Sequence, residues 1–153
     1  MTQENKDLLL QDLCGRLPYG VKVSVNQSQL QNYDPKWKNW GFEEEPEEID
    51  GVSIYGVTFG CMDMSDGVIG FEFIKPYLFP LSSMTEEQKK EYDSECNKDL
   101  KVLSHSLANR TYTKTRIATP LYYGIDWLNT HHFDYRGFIE KGLAIDATGL
   151  NIY

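Results

Sequence analysis

The chain has 153 residues, a formal net charge of -8, and hydrophobic and aromatic fractions of 41% and 13%. That length and apolar content suit one ordinary domain with a buried core and exclude a disordered chain. The negative charge opposes general affinity for phosphate backbones or anionic lipid, so nucleic acid is disfavoured as a partner.

Cys14, Cys61 and Cys96 are odd in number and scattered, with no CxxC pair. They indicate neither a disulfide framework nor a cysteine zinc site, and they suit a reducing, cytoplasmic setting. The polar start and the short Leu8-Leu9-Leu10 run give no signal-peptide core and no spanning segment, so no membrane association is expected.

In chain order, Leu9, Leu10, Leu13 and Leu17 recur at near-helical spacing, and Gly15 with Leu17-Pro18-Tyr19-Gly20 supplies a stop. Val21, Val23 and Val25 then alternate with Lys22 and Ser24, the period of a half-buried strand. A long connection runs from Asn26 to Asp50. It contains Tyr33, Trp37, Trp40 and Phe42 and then the acidic run Glu43-Glu44-Glu45-Pro46-Glu47-Glu48. Loops of this length are uncommon unless functional, which makes these four aromatics the candidate binding residues, although the favoured reading is that Trp37 and Trp40 pin the loop to the core. The acidic run has two readings, a solvated face or a surface for a basic partner.

Val52–Phe59 and Val68–Ile74 read as two strands of a hairpin with an Asp66-Gly67 turn, interrupted by Gly56 and Gly70 where bulges or sharp coiling would fit. Pro76 and Pro80 should then break the sheet. Thr85-Glu86-Glu87-Gln88 is a capping box opening an amphipathic helix with a stripe of Tyr92, Cys96, Leu100, Leu103 and Leu107. Arg110–Ile117 alternates and suggests a strand or extended link, and Thr119-Pro120 opens a second helix through Asn129. A short third helix is expected from Asp134 as N-cap, with Phe133 and Phe138 as a staple, Gly142 as C-cap and Leu143 folding back on Phe138. The fold class is α+β: a small antiparallel sheet or SH3-like barrel followed by a helical C-terminal half.

The runs Asp12–Val23, Lys75–Thr85 and Asp126–Gly142 resemble a family of small uncharacterised proteins from gut bacteria and their phages or integrated elements. The resemblance implies an intracellular accessory protein of mobile-element origin. It brings no assigned activity, so no catalytic residue comes with it.

The chemistry-bearing residues concentrate between Asp126 and Gly142. His131, His132 and Asp134 are the candidate acid–base or ligand groups, with His105 as a distant third imidazole and Arg136 as an anion holder. Adjacent histidines point in different directions, no HExxH or HxH spacing is present, and Asp134 has a competing use as a cap, so no metal site is assigned. Phosphate-cradling glycine patterns are absent too, and no cofactor is expected. The favoured function is therefore a non-enzymatic cytoplasmic interaction module for a protein or peptide partner, with self-association into a homodimer compatible with an exposed aromatic patch. The alternative is a small metal-dependent or hydrolase-like enzyme centred on His131, His132 and Asp134.

Overall fold

A computed structural model of the chain describes residues 1–39, 42, 45–60, 67–108 and 122–153, with side chains described for all of these except 39 and 99–108. The expected strand or link at 110–117, the Thr119-Pro120 helix start, Trp40, Cys61 and the Asp66 half of the turn lie outside the described residues, as does the His105 side chain. The architecture is α+β. Helix α1 covers Gln3–Arg16, β1 Lys22–Val25, α2 Gln27–Tyr33, β2 Glu47–Ser53, β3 Gly56–Phe59, β4 Ile74–Pro80, α3 Glu86–Ala108, α4 Tyr122–Thr130, β5 Phe133–Asp134 and β6 Ile145–Asp146.

Helix α1 starts where the Thr2 hydroxyl accepts from the Asn5 amide, and it buries Leu9, Asp12, Leu13 and Arg16 on one face. Leu9 and Leu13 are each worth about 1.5–3 kcal/mol of burial. They meet Val21, Val23, Phe59, Phe71, Ile74, Leu78 and Phe138 in the main core. A smaller cluster holds Trp127, Leu128 and Phe133, with Phe79, Met84, Tyr92 and Tyr135 packed against it.

The sheet runs β3-β2-β1-β4-β5, with β6 also on β4. The first four strands pair antiparallel, whereas β5 and β6 each join β4 in parallel, so the sheet is mixed and not the purely antiparallel one expected. Pro76 and Pro80 do not break it. Strand β1 pairs with residues 74–76 of β4, and β5 and β6 pair with residues 77–80. The prolines therefore stand at the ends of these ladders, where a missing N–H is tolerated.

The expected strand over Val52–Phe59 is two strands. Ser53 Oγ accepts from the Tyr55 amide at 3.2 Å and donates to the Gly56 carbonyl at 3.2 Å, turning the chain at Ile54 and Tyr55. Of the expected hairpin partner, Ile69 makes an isolated antiparallel bridge to Val57, a 3-10 turn follows at Phe71–Phe73, and Ile74 opens β4. Gly56 is required there: at φ +152° a Cβ would meet the Ile69 carbonyl oxygen at 2.0 Å. The 26–50 connection also carries more structure than expected, with α2, a 3-10 turn at Pro35–Asn39 and the start of β2.

The α3 cap is reciprocal: the Gln88 amide donates to Thr85 Oγ1 at 3.2 Å and the Thr85 amide to Gln88 Oε1 at 2.9 Å. Helix α3 packs along α4, with Tyr92 against Trp127 at 5.7 Å. The expected helix from Asp134 is instead a series of turns following β5. Gly137 at φ +69° reverses the chain before a helical turn can propagate. No helix among the described residues is long and apolar enough to cross a membrane.

Candidate functional site

Two distinct arrangements grow out of the turn between α4 and β5. The first is a buried charge network. Asp12 and Arg16 sit four apart on the buried face of α1, both side chains at 0% exposure. Arg16 Nε donates to Asp12 Oδ2 at 2.6 Å, and one terminal nitrogen donates to Asp12 Oδ1 at 3.3 Å and to the Phe133 carbonyl at 2.8 Å. Arg136 Nε adds a 3.1 Å bond to Asp12 Oδ1. Tyr135 lies between the two guanidinium groups, at 5.3 Å from Arg16 and 5.2 Å from Arg136. The network ties α1 to the β5 turn.

Arg136 thus commits its Nε to Asp12, with its side chain 30% exposed. Asp134 is likewise committed: its oxygens accept from the Phe138 and Ile139 amides at 2.9 and 2.8 Å. It caps a turn at positions four and five residues on, not the first turn of a regular helix. Neither carboxylate oxygen is turned to an imidazole.

The second arrangement is a cleft of about 410 Å³ over the two histidines, within the size range of ligand pockets. Its aromatic walls are Phe79, Phe133, Tyr153 and His131, and Ser83, Gln88, Thr130 and Thr148 bring polar groups. None of the described residues lining it is an aspartate, glutamate, lysine or arginine.

His131 stacks on Trp127 with ring centroids 4.0 Å apart, and its Nδ1 lies 2.9 Å from the Trp127 carbonyl. A carbonyl only accepts, so Nδ1 carries a proton, and in the tautomer this selects Nε2 is the acceptor. Among the described residues Nε2 has no hydrogen-bond partner.

His132 differs from its neighbour in every respect. Its backbone is left-handed at φ +56°, which sends consecutive imidazoles to different surroundings. The residue is 6% exposed, and its ring stacks on Tyr153 at 3.7 Å. Burial, then the nearby Arg16 charge, then His131 hold its pKa down at about 4, against a partial opposing effect from a hydrogen bond to the Tyr19 backbone. It is a neutral ring at pH 7, and its Nδ1 is buried without a partner. Tyr153 is fixed over it: the hydroxyl donates to the Tyr77 carbonyl at 2.9 Å and accepts from the Lys22 amide at 3.1 Å. Burial of that phenol pushes its pKa up to about 12.

Three of the four loop aromatics are among the described residues. Trp37 and Phe42 are 3% and 5% exposed and belong to the main core, with Phe42 against Phe59 at 5.2 Å. Tyr33 stands 74% exposed beside Phe73, so it shares no concave surface with them. The sheet aromatics Phe59, Phe71 and Tyr77 are buried as well, whereas Tyr55 is exposed. The pinning role is the one Trp37 takes. Among the described residues no group of three His, Cys, Asp or Glu side chains is placed to hold a metal ion.

Sequence reasoning missed Tyr153, Phe79 and Ser83 as parts of the histidine cleft, because parallel pairing of β5 to β4 brings them together and no local pattern encodes it. It also missed the Asp12–Arg16 pair, whose signal was present as two opposite charges on the Leu9–Leu13 stripe. Comparison of the chain with family models, with curated proteins and with solved structures finds no match.

Proposed function

We propose that the protein is a non-enzymatic cytoplasmic binding module that seats one aromatic side chain of a protein or peptide partner, tyrosine or tryptophan, in the cleft beside His131. One observation carries this reading: the cleft combines aromatic walls with uncharged polar groups and an imidazole acceptor, and no charged residue lines it among those described. A flat apolar ring with a donor at its edge matches that lining, and rings of this kind are the usual anchors of protein interfaces. The free thiols of Cys14 and Cys96 support a reducing compartment. An accessory role on a mobile element or phage accords with such a module.

The enzymatic alternative centred on His131, His132 and Asp134 has less support. Asp134, the carboxylate that reading relies on, spends both oxygens on main-chain amides and is not among the described residues lining the cleft.

The test is an NMR titration with N-acetyl-tryptophanamide and N-acetyl-tyrosinamide, with N-acetyl-leucinamide as control. Saturable shifts at the His131 ring and Gly149 amide, absent with leucine and abolished by Thr148→Trp at the exposed rim, support the reading. Shifts that survive Thr148→Trp, or no shifts at all, refute it.

A further inference from the structure

A separate pocket of about 420 Å³ lies where α4 meets the end of α1. Tyr122, Ile125, Asp126 and Asn129 share one face of α4 at helical spacing, and Pro18 and Tyr19 close the other side. We propose that this pocket docks an arginine side chain of a partner protein.

Among the polar groups that line it is a carboxylate, the acceptor a guanidinium needs. Asp126 is half-buried; its Oδ1 accepts from the Tyr19 hydroxyl, while Oδ2 has no partner among the described residues. Asn129 is 6% exposed, lines the pocket, and its Oδ1 is buried without a hydrogen-bond partner. An amide oxygen in that state is unfavourable until a donor reaches it. The hydrogen bond to Asp126, and then burial, raise the Tyr19 pKa, so the phenol stays a donor at neutral pH and its ring stays uncharged.

The walls favour guanidinium over ammonium. The Tyr19 and Tyr122 rings and the Pro18 and Ile125 side chains offer flat apolar surface. A guanidinium is planar, weakly hydrated and able to stack while donating in its own plane, whereas an ammonium is a strongly hydrated point charge. A free amino acid would also need a cation for its carboxylate, and no lysine or arginine is among the described lining residues. The net charge of -8 adds long-range attraction for a basic partner.

The pocket is distinct from the histidine cleft, and the two are read by different signals. Nα-acetyl-arginine N-methylamide is titrated into the full chain, following the Gly15 amide and the Asn129 side-chain NH₂ by NMR. Saturable shifts are expected with a dissociation constant on the order of 1 mM or weaker, as befits one anchoring side chain. The uncharged citrulline analogue should bind about tenfold more weakly, for loss of one charge-assisted contact. The lysine analogue should bind about threefold more weakly or worse.

Asp126→Asn keeps an acceptor for Tyr19 and should weaken arginine binding about tenfold. Tyr122→Ala, at a residue 59% exposed and so removable without loss of the fold, should weaken it about threefold, and it carries the test if the Asp126 variant does not fold. Absence of shifts at Gly15 and Asn129 overturns the proposal. So does equal binding of the citrulline or lysine analogue, tighter binding of free L-arginine than of the blocked probe, or no loss of affinity in a folded variant.

Discussion

Asp12→Ala is the most informative perturbation of this fold. The carboxylate accepts three donors, two from Arg16 and one from Arg136, and both Asp12 and Arg16 are sealed from water. Removing it leaves the Arg16 guanidinium with the Phe133 carbonyl and the Tyr135 face as its only remaining contacts among those described. Breaking a buried pair from one side costs about 3–5 kcal/mol, because the surviving charge stays desolvated. Total stability for a domain is about 5–15 kcal/mol, so this is a large share of it. At roughly 2–4 °C per kcal/mol for a chain of this length, the melting temperature should fall by about 6–20 °C. Urea midpoints and thermal melts followed by circular dichroism read both quantities. The double variant Asp12→Leu with Arg16→Met removes charge from both sides and should recover most of the loss. Arg136→Ala, whose side chain is 30% exposed, should cost less than about 1 kcal/mol. An Asp12→Ala protein within about 1 kcal/mol of wild type, or a double variant as unstable as the single one, would refute the account of the network.

Three further outcomes are expected. The His132 pKa is about 4 in the folded chain and 6.5 as an ordinary imidazole, so the folded state binds fewer protons between those values. Its contribution is complete above pH 6.5 and is lost as pH falls towards 4; the stability gap between wild type and His132→Asn should shrink by up to about 3 kcal/mol across that window, and a gap independent of pH would contradict it. Gly56→Ala should cost about 2–4 kcal/mol, since its Cβ would strike the Ile69 backbone. Gly70→Ala meets only the movable Glu72 carboxylate and should cost under about 1 kcal/mol; equal urea midpoints for the two would count against the close approach. Asp134→Ala strips two buried-side amides of their acceptor and should cost about 1–3 kcal/mol, with faster hydrogen exchange at Phe138 and Ile139 as the local signature. Unchanged exchange there would dissociate Asp134 from the turn.

What was legible in the sequence is what is local. The Leu9–Leu13 spacing, the Val21–Val23 alternation and the Thr85–Gln88 box each encode an element within a few residues, and α1, β1 and α3 stand where those signals put them. Errors arose where partners are remote or a side chain replaces a glycine or proline signal. Ser53 folds a tight turn with its hydroxyl inside a run that reads as one strand with a bulge at Gly56. Pro76 and Pro80 read as breakers because the sequence does not reveal that two different ladders end beside them. For the site, the histidines were visible as a cluster, but their opposite environments follow from the positive φ of His132, a strained backbone state for a non-glycine residue that no composition rule predicts. The aromatic loop carried two readings, and for Trp37 and Phe42 it is the core-packing one that burial matches.

The clasp that Tyr153 makes on β4 has a kinetic corollary. Its hydroxyl meets the Tyr77 carbonyl across 76 positions and the Lys22 amide across 131, and Arg136 reaches Asp12 across 124. Closures of that span are entropically expensive and slow to form. A ribosome that has released residues 1–80 has therefore delivered β1 to β4 with the backbone of residues 77–80 still awaiting β5 and β6, and with Arg16 still lacking the Phe133 carbonyl. The histidine cleft comes into being only with the last of these closures. A chain synthesised only as far as β5 would therefore have a cleft without the wall that Thr148, Gly149 and Tyr153 supply.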